Sequence, residues 1–304
     1  PLVISSSGST SFCPGQNTIL DAGSGFSSYI WSTGETSQNI TVNNTQLSSV
    51  TTTDIFGCLD TGSISTLLTP GPIPSINPIG STNLCAGESL DLDAGAGFAT
   101  YSWSNSSSNQ INTVSSTALY NLTVTDANGC EGYDSLSVNV ATNVSVSLNV
   151  SNLTCNNIIP ADGFISSNSS GGYGGYSYNW NNGQLTANAT GLSTGTYTLT
   201  VSDINGCTAT SSVSVSEPTA VTATSTSTDA LCNGSSDGTA TAAASGGTGA
   251  FSYVWSSLPA QSTATVTGLN ASISVYTVTA SDANNCTATS SVTISAPSAI
   301  TASI

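Results

Sequence analysis

Polar and apolar residues alternate with a period of two through much of this chain. In Tyr197-Thr198-Leu199-Thr200-Val201 and Ser212-Val213-Ser214-Val215, hydroxyl-bearing residues take every second place, with Tyr, Leu or Val between them. Tyr120 to Thr125 and Tyr276 to Thr279 repeat the pattern. Successive strand side chains point to opposite faces, so each segment has one dry and one wet face, which predicts antiparallel strands packed as a sandwich. No stretch keeps apolar residues at i, i+3, i+4 spacing and β-branched residues abound, so negligible helix is expected.

A recurring phrase organises these strands: a cysteine, a Tyr-x-Trp, then a turn written Asp-x-x-Gly-Cys or Asp-x-x-Asn-Cys. Cys13, Trp31 and Cys58 return as Cys85, Trp103 and Cys130, as Cys155, Trp180 and Cys207, and as Cys232, Trp255 and Cys286. Successive tryptophans are 72, 77 and 75 residues apart, too long for a solenoid coil and right for beads with separate cores. The expectation is an all-β tandem array of four small antiparallel β-sandwich modules at residues 1–70, 71–143, 144–218 and 219–297. Residues 298–304 would open a further repeat, because Ala296-Pro297-Ser298-Ala299-Ile300-Thr301 echoes Glu217-Pro218-Thr219-Ala220-Val221-Thr222. With Pro1 in place of an initiator Met, this echo leads us to expect a chain that continues beyond both ends. Short linkers are expected around Pro70 to Pro78, Thr142 to Ser145 and Glu217 to Thr219, the proline-rich first being the stiffest. Beads about 30 Å across would make a rod of order 100 Å.

The cysteines of each module are 45, 45, 52 and 54 residues apart. Their even count and regular placement predict one disulfide inside each module and an oxidising compartment. Closing a loop of about 50 residues adds on the order of 4 kcal/mol to a module whose core alone is marginal. Zinc is disfavoured, since the chain has neither Cys-x-x-Cys nor histidine. Trp31, Trp103, Trp180 and Trp255 are expected as core anchors packed against these bridges, with a sugar-stacking platform as the functional alternative.

Asp54, Asp126, Asp203 and Asp282 each open the turn before the second cysteine. An aspartate that caps a turn, followed by Asn-Gly or Asn-Asn able to take positive φ, reads as a hairpin. Calcium at these turns is the alternative cofactor reading; otherwise none is expected. That ion takes roughly six to eight oxygens, and each turn offers only two or three.

Composition narrows the partners. The chain has no Lys, Arg, His or Met against 16 acidic residues, a net charge of −16 and an isoelectric point near 4.1. Nucleic acid and anionic membrane surfaces are excluded as partners, because both require Lys or Arg. An apolar content of 38%, four Trp and a mean hydropathy of +0.11 argue against disorder. No run approaches the ~20 apolar residues of a membrane span, and no signal peptide is recognisable. Catalysis is not expected: there is no His or Lys, the cysteines are assigned to bridges, and Glu35, Glu88, Glu131 and Glu217 fall in loops or linkers. Tyr173, between the glycine pairs of Gly171-Gly172-Tyr173-Gly174-Gly175, is a candidate exposed ring for stacking on sugar, beside the plainer reading of a glycine-rich loop. Sequons at Asn39, Asn121 and Asn188 are expected by chance in so Asn- and Thr-rich a chain.

The third and fourth modules resemble the SprB repeat of very large cell-surface adhesins of gliding Bacteroidota. The resemblance rests on Asp162-Gly163, Gly171-Gly172, Tyr176 to Trp180, Gly191-Leu192, Gly195 to Thr198 and Asp203 to Cys207, and on their counterparts Asp237 to Ala240, Gly246 to Gly249, Ser252 to Trp255, Gly268-Leu269 and Asp282 to Cys286. The fourth module departs at Asn270 to Tyr276, a glycine-free stretch. The first two modules are similar to PKD-like and Ig-like domains, through Leu20-Asp21-Ala22-Gly23 with Trp31 to Gly34, and Leu92-Asp93-Ala94-Gly95 with Trp103-Ser104. The resemblance implies Ig-like sandwiches, export by type IX secretion, a place on the cell surface, and glycosylation at phrases such as Asp134-Ser135-Leu136, on Ser135. The expected role is a non-catalytic stalk segment of an adhesin, with surface polysaccharide or neighbouring copies as partners. A self-assembling fibre subunit and a carbohydrate-binding accessory region of a secreted hydrolase are the alternatives.

Overall fold

The computed structural model describes residues 2–273 and 275–301. Pro1, Ser274 within the departing stretch, and residues 302–304 of the expected further repeat lie outside them. The chain divides into two compact units, Pro1–Thr142 and Asn143–Ile304.

In the first unit, β1 (Ser5–Ser6), β2 (Ser11–Phe12), β3 (Thr18–Asp21), β4 (Ser28–Trp31), β5 (Asn39–Val42), β6 (Gln46–Thr53) and β7 (Leu59–Leu68) form two sheets, ordered β1-β3-β5 and β2-β7-β6-β4. All pairs are antiparallel except β2 with β7. The scheme repeats in β8 (Asn77–Pro78), β9 (Asn83–Leu84), β10 (Leu90–Asp93), β11 (Thr100–Trp103), β12 (Ile111–Val114), β13 (Ala118–Thr125) and β14 (Glu131–Val140). Their sheets are β12-β10-β8 and β11-β13-β14-β9, with β9 parallel to β14. Two facing sheets with a short strand parallel to the last one make an Ig-like sandwich.

The second unit drops that short parallel strand. Its elements are β15 (Ser145–Ser151), β16 (Gly163–Ser170), β17 (Ser177–Trp180), β18 (Ala189–Leu192), β19 (Gly195–Ser202) and β20 (Thr208–Val215), then β21 (Thr222–Thr228), β22 (Gly238–Ser245), β23 (Ser252–Trp255), β24 (Thr265–Leu269), β25 (Tyr276–Ser281) and β26 (Thr287–Val292). They pair as β15-β16-β18 with β17-β19-β20, and as β21-β22-β24 with β23-β25-β26.

The period-two segments are strands facing the cores. Tyr120, Leu122 and Val124 are buried while Asn121 between them is exposed, and Tyr276, Val278 and Ala280 follow suit. Each Trp is at most 3% exposed and belongs to its own apolar cluster. Its indole Nε1 donates to a backbone carbonyl six or eight residues on: Ser37, Asn109, Thr186 or Thr263. The ring is thereby buried without orphaning its one polar atom.

The cysteines do not pair as expected. Cys13 bonds Cys130 and Cys155 bonds Cys286, so each bridge joins successive modules. Cys85 and Cys207 are also disulfide-bonded, whereas Cys58 and Cys232 are free thiols on the surface. Strand direction explains the correction. Cys13 follows β2, whose Phe12 lies opposite Leu68 at the end of β7; Cys58 precedes Leu59 at its beginning. A ten-residue strand, about 30 Å of extended chain, separates them, whereas a disulfide needs Cα atoms roughly 4.4–6.8 Å apart. In the third module, Leu153 N–H donates to Ser216 O at 3.0 Å and places the Cys155 loop at the end of β20, while Cys207 stands at its start. The tryptophans therefore pack without an intramodule bridge beside them.

Candidate functional site

The chemistry of this chain is concentrated at the ends of its modules. At the leading end, the aspartate Oδ1 accepts the backbone N–H groups two and four residues on. Asp54 receives Phe56 and Cys58, both at 2.8 Å; Asp126 receives Asn128 at 2.8 Å and Cys130 at 2.9 Å. Asp203 and Asp282 repeat the arrangement at 2.9 Å. Gly57, Gly129, Gly206 and Asn285 take positive φ just before the cysteine, which is why Gly or Asn stands there.

In the second unit the other carboxylate oxygen is also engaged. Asp203 Oδ2 accepts Tyr173 N–H and Asp282 Oδ2 accepts Thr248 N–H, each at 2.8 Å, folding the Gly-Gly-x-Gly loop onto the turn. Gly172 and Gly247 approach so closely that a Cβ would strike those carboxylates. The Tyr173 N–H holds the Asp203 carboxyl below the ordinary aspartate range, burial opposes it, and the N–H groups of Cys207 and Asn205 assist. For Asp282 burial pushes upward, but the N–H groups of Thr248, Cys286 and Asn284 outweigh it and the result is again a lowered value. These oxygens face N–H donors, a poor arrangement for calcium. Among the described residues no three Cys, Asp or Glu gather as a metal site.

At the trailing end, the loop carrying the first cysteine is stitched to the segment leaving the same module. Asn156 Nδ2 donates to Pro218 O at 3.4 Å and Asn157 N–H to Glu217 Oε2 at 2.8 Å. In the fourth module Asn233 Nδ2 donates to Pro297 O at 3.1 Å. The two ends meet where modules join within a unit. Between the third and fourth modules, a cleft of about 300 Å³ is lined by Cys155, Asn156, Ala220 and Val221 from the trailing side and by the Asn285-Cys286-Thr287 turn. Asn284 Nδ2 donates to Thr154 O across the same boundary at 3.2 Å. Between the first and second, the Cα atoms of Cys13 and Cys130 are 5.3 Å apart. There a Cβ on Gly71 would collide with Glu131 O, so only glycine allows the linker this close.

The remaining candidates fall elsewhere. Tyr173 is half-buried rather than exposed, because its loop is drawn down onto Asp203. With the four indoles inside the cores, no Trp offers a face to a sugar. Ser135 is exposed on β14, and Asn39, Asn121 and Asn188 are exposed as well. Glu88 and Glu217 accept backbone N–H groups of Cys85 and Asn157, so they order the cysteine loops. The Glu131 carboxylate hydrogen-bonds the Tyr133 hydroxyl and raises its pKa. Sequence reasoning passed over Ile55, Phe56 and Leu59 around Cys58, which are 77%, 84% and 70% exposed. The signal was present: in the first module alone, an aromatic fills the place where the other turns write Asn.

Residues 224–259, running from β21 through Cys232 and Trp255, match the SprB repeat. No curated protein matches this chain significantly. Among solved structures, the eight N-terminal Ig domains of Down Syndrome Cell Adhesion Molecule overlap with TM-score 0.41 and 13% identity, covering 98% of this chain and 49% of theirs. This chain thus spans about half that fragment's length. The titin I-band fragment I67-I69 gives 0.36 and 11%, covering 74% and 98%. A Ca2+-stabilized adhesin with which an Antarctic bacterium binds ice gives 0.33 and 16%, covering 90% and 92%. Overlaps this loose transfer no function to this chain.

Proposed function

We propose that this chain is a non-catalytic, extracellular stalk segment of a large repetitive cell-surface adhesin, with modules bounded at residues 70, 143 and 218. The reading rests above all on the bridges that join one sandwich to the next, Cys13–Cys130 and Cys155–Cys286. Such bonds form and persist in oxidising surroundings, and their use here is mechanical. They fasten module to module and leave the cores to ordinary packing. The SprB repeat at 224–259 supports a place on the surface of a gliding bacterium, with type IX secretion as the route there. Surface polysaccharide or copies of the same protein are its partners. An enzymatic role has no support, since every Asp of the recurring turns is engaged by backbone N–H groups.

A module exchange tests this. Replacing residues 143–297 in the native surface protein by unrelated bridged sandwiches of equal length is expected to preserve cell adhesion, because a stalk needs only span and strength. Adhesion lost with the protein still displayed on unpermeabilised cells would overturn the stalk reading and favour a ligand-binding region.

A further inference from the structure

We infer that the outer face of β13 and β14 around Tyr133 binds an uncharged pyranose sugar of a polysaccharide, with the Tyr133 ring as its stacking surface. The inference rests on the reading above only in taking polysaccharide as a partner, and it concerns the first unit, which the module exchange leaves in place.

Comparison of the repeats singles the residue out. The third place after the second cysteine is Thr61, Thr210 and Thr289 in the other modules and Tyr133 in this one. The strand therefore needs no aromatic there. Tyr133 is 68% exposed and stands opposite Thr123 on the wet face of the sheet, with Ser135 opposite Asn121 one step further along.

The ring is held in place before any ligand arrives. Its hydroxyl is hydrogen-bonded to the Glu131 carboxylate, and the linker between the first two modules clamps the strand beneath it. Asp134 Oδ2 accepts Ile76 N–H at 2.7 Å while Oδ1 accepts Ser135 N–H at 2.8 Å. A Cβ on Gly132 would strike Pro72 O, so the linker lies directly against β14. A surface ordered in advance loses little entropy on binding.

Two clefts share this ring. One, of about 490 Å³, runs along the sheet face past Asn121, Thr123 and Ser135. The other, of about 480 Å³, lies where the first two modules meet and is bordered by Gln16 and Glu131. Both volumes fall within the range of ligand sites, about 300–1,000 Å³. Tyr133 lines each of them, so it forms the wall between two adjoining pockets. Amide and hydroxyl groups on either side can both donate to and accept from sugar hydroxyls, and the ring offers apolar surface to the C–H face of a pyranose. Glu131 beside the ring, and a chain of net charge −16 without Lys or Arg, repel uronate and sulfate groups, which restricts the ligand to uncharged sugars.

The test is saturation-transfer NMR on the full chain with uncharged hexasaccharides of glucose, of galactose and of mannose, and with hexagalacturonate as the acidic comparison. Wild type is expected to bind at least one uncharged probe and to ignore the acidic one. Tyr133→Thr, which installs the residue of the other modules, should weaken binding about tenfold or more at an unchanged melting temperature, whereas Tyr133→Phe keeps the ring and should stay within about threefold of wild type. Phe56→Ser, at an exposed aromatic outside the site, and Ser135→Ala should both bind as wild type does. Four results would each overturn the inference: no uncharged probe bound by wild type, hexagalacturonate bound as well as the others, affinity kept in Tyr133→Thr, or affinity lost in Phe56→Ser. A signal gained only in Ser135→Ala would also overturn it, by assigning the ring to a glycan attached to the chain itself. None of these outcomes bears on the stalk reading, which the module exchange decides.

Discussion

Cys155 and Cys286 are 131 residues apart in sequence and 5.6 Å apart at their Cα atoms, bonded across the boundary between the third and fourth modules. With Cys13 and Cys130, separated by 117 residues, they define a covalent route through the chain that bypasses most of its length.

Under tension that route decides how far the molecule can lengthen. Residues inside a bridged loop cannot extend while the bond holds, so the residues from Cys13 to Cys130 and from Cys155 to Cys286 should add almost nothing to the length of the oxidised chain. Reduction releases loops of 117 and 131 residues, about 400 Å and about 450 Å of extended chain at 3.3–3.6 Å per residue. Single-molecule pulling with and without reductant measures the difference directly.

The bridges should also couple unfolding of the modules they join. Cys130→Ser is expected to lower the stability of the first unit by up to about 5 kcal/mol, the entropy that a crosslink closing a 117-residue loop removes from the unfolded chain. It should also split one calorimetric transition into two. Cys58→Ser, at the equivalent but unbonded position, should leave the melting profile unchanged.

The aspartate turns set the acid limit. Asp203 and Asp282 have folded-state values below the ordinary aspartate value, as do Asp93 beside the Gln110 amide, Asp162 beside the Thr154 hydroxyl and Asp237 beside the Ser235 hydroxyl. A depressed carboxyl stabilises fully above its unfolded pKa and loses that contribution as pH falls through the folded one. Melting temperature should therefore be level above about pH 5 and fall on acidification through the range below the ordinary aspartate value. Asp203→Asn should flatten this fall and also lower the midpoint at neutral pH, since an amide group at Oδ2 would face the Tyr173 N–H with a donor. Asp54→Asn, where Oδ1 accepts both turn N–H groups, should be milder.

Trp180→Ala is expected to cost about 3–5 kcal/mol, the range for emptying a buried indole site. Denaturant titration of the second unit provides the measurement. Trp180→Phe should recover part of the loss and leave Thr186 O without its Nε1 donor.

The strands were readable because Tyr120, Leu122 and Val124, or Leu199 and Val201, carry their burial in a period of two. The tryptophans were readable as core residues from one large aromatic at one place per repeat. Disulfide partners were not, because spacing measures distance along the chain and says nothing about which end of a sandwich a loop reaches. Cys13 and Cys58 are 45 residues apart yet flank opposite ends of β7. The missing step was strand direction: a cysteine closing the first strand of a sheet and another opening the parallel last strand cannot meet. Tyr173 was misjudged for a related reason, since the acceptor that pulls its loop inward, Asp203, is 30 residues downstream.

The crossed pairing gives the array a grammar indifferent to length. Because Cys13 and Cys155 each bond the second cysteine of the module that follows, a bridged pair of modules can be gained or lost by unequal recombination while the other bridge keeps its partner. Reach can thus be tuned over generations while the joints between neighbours stay chemically the same.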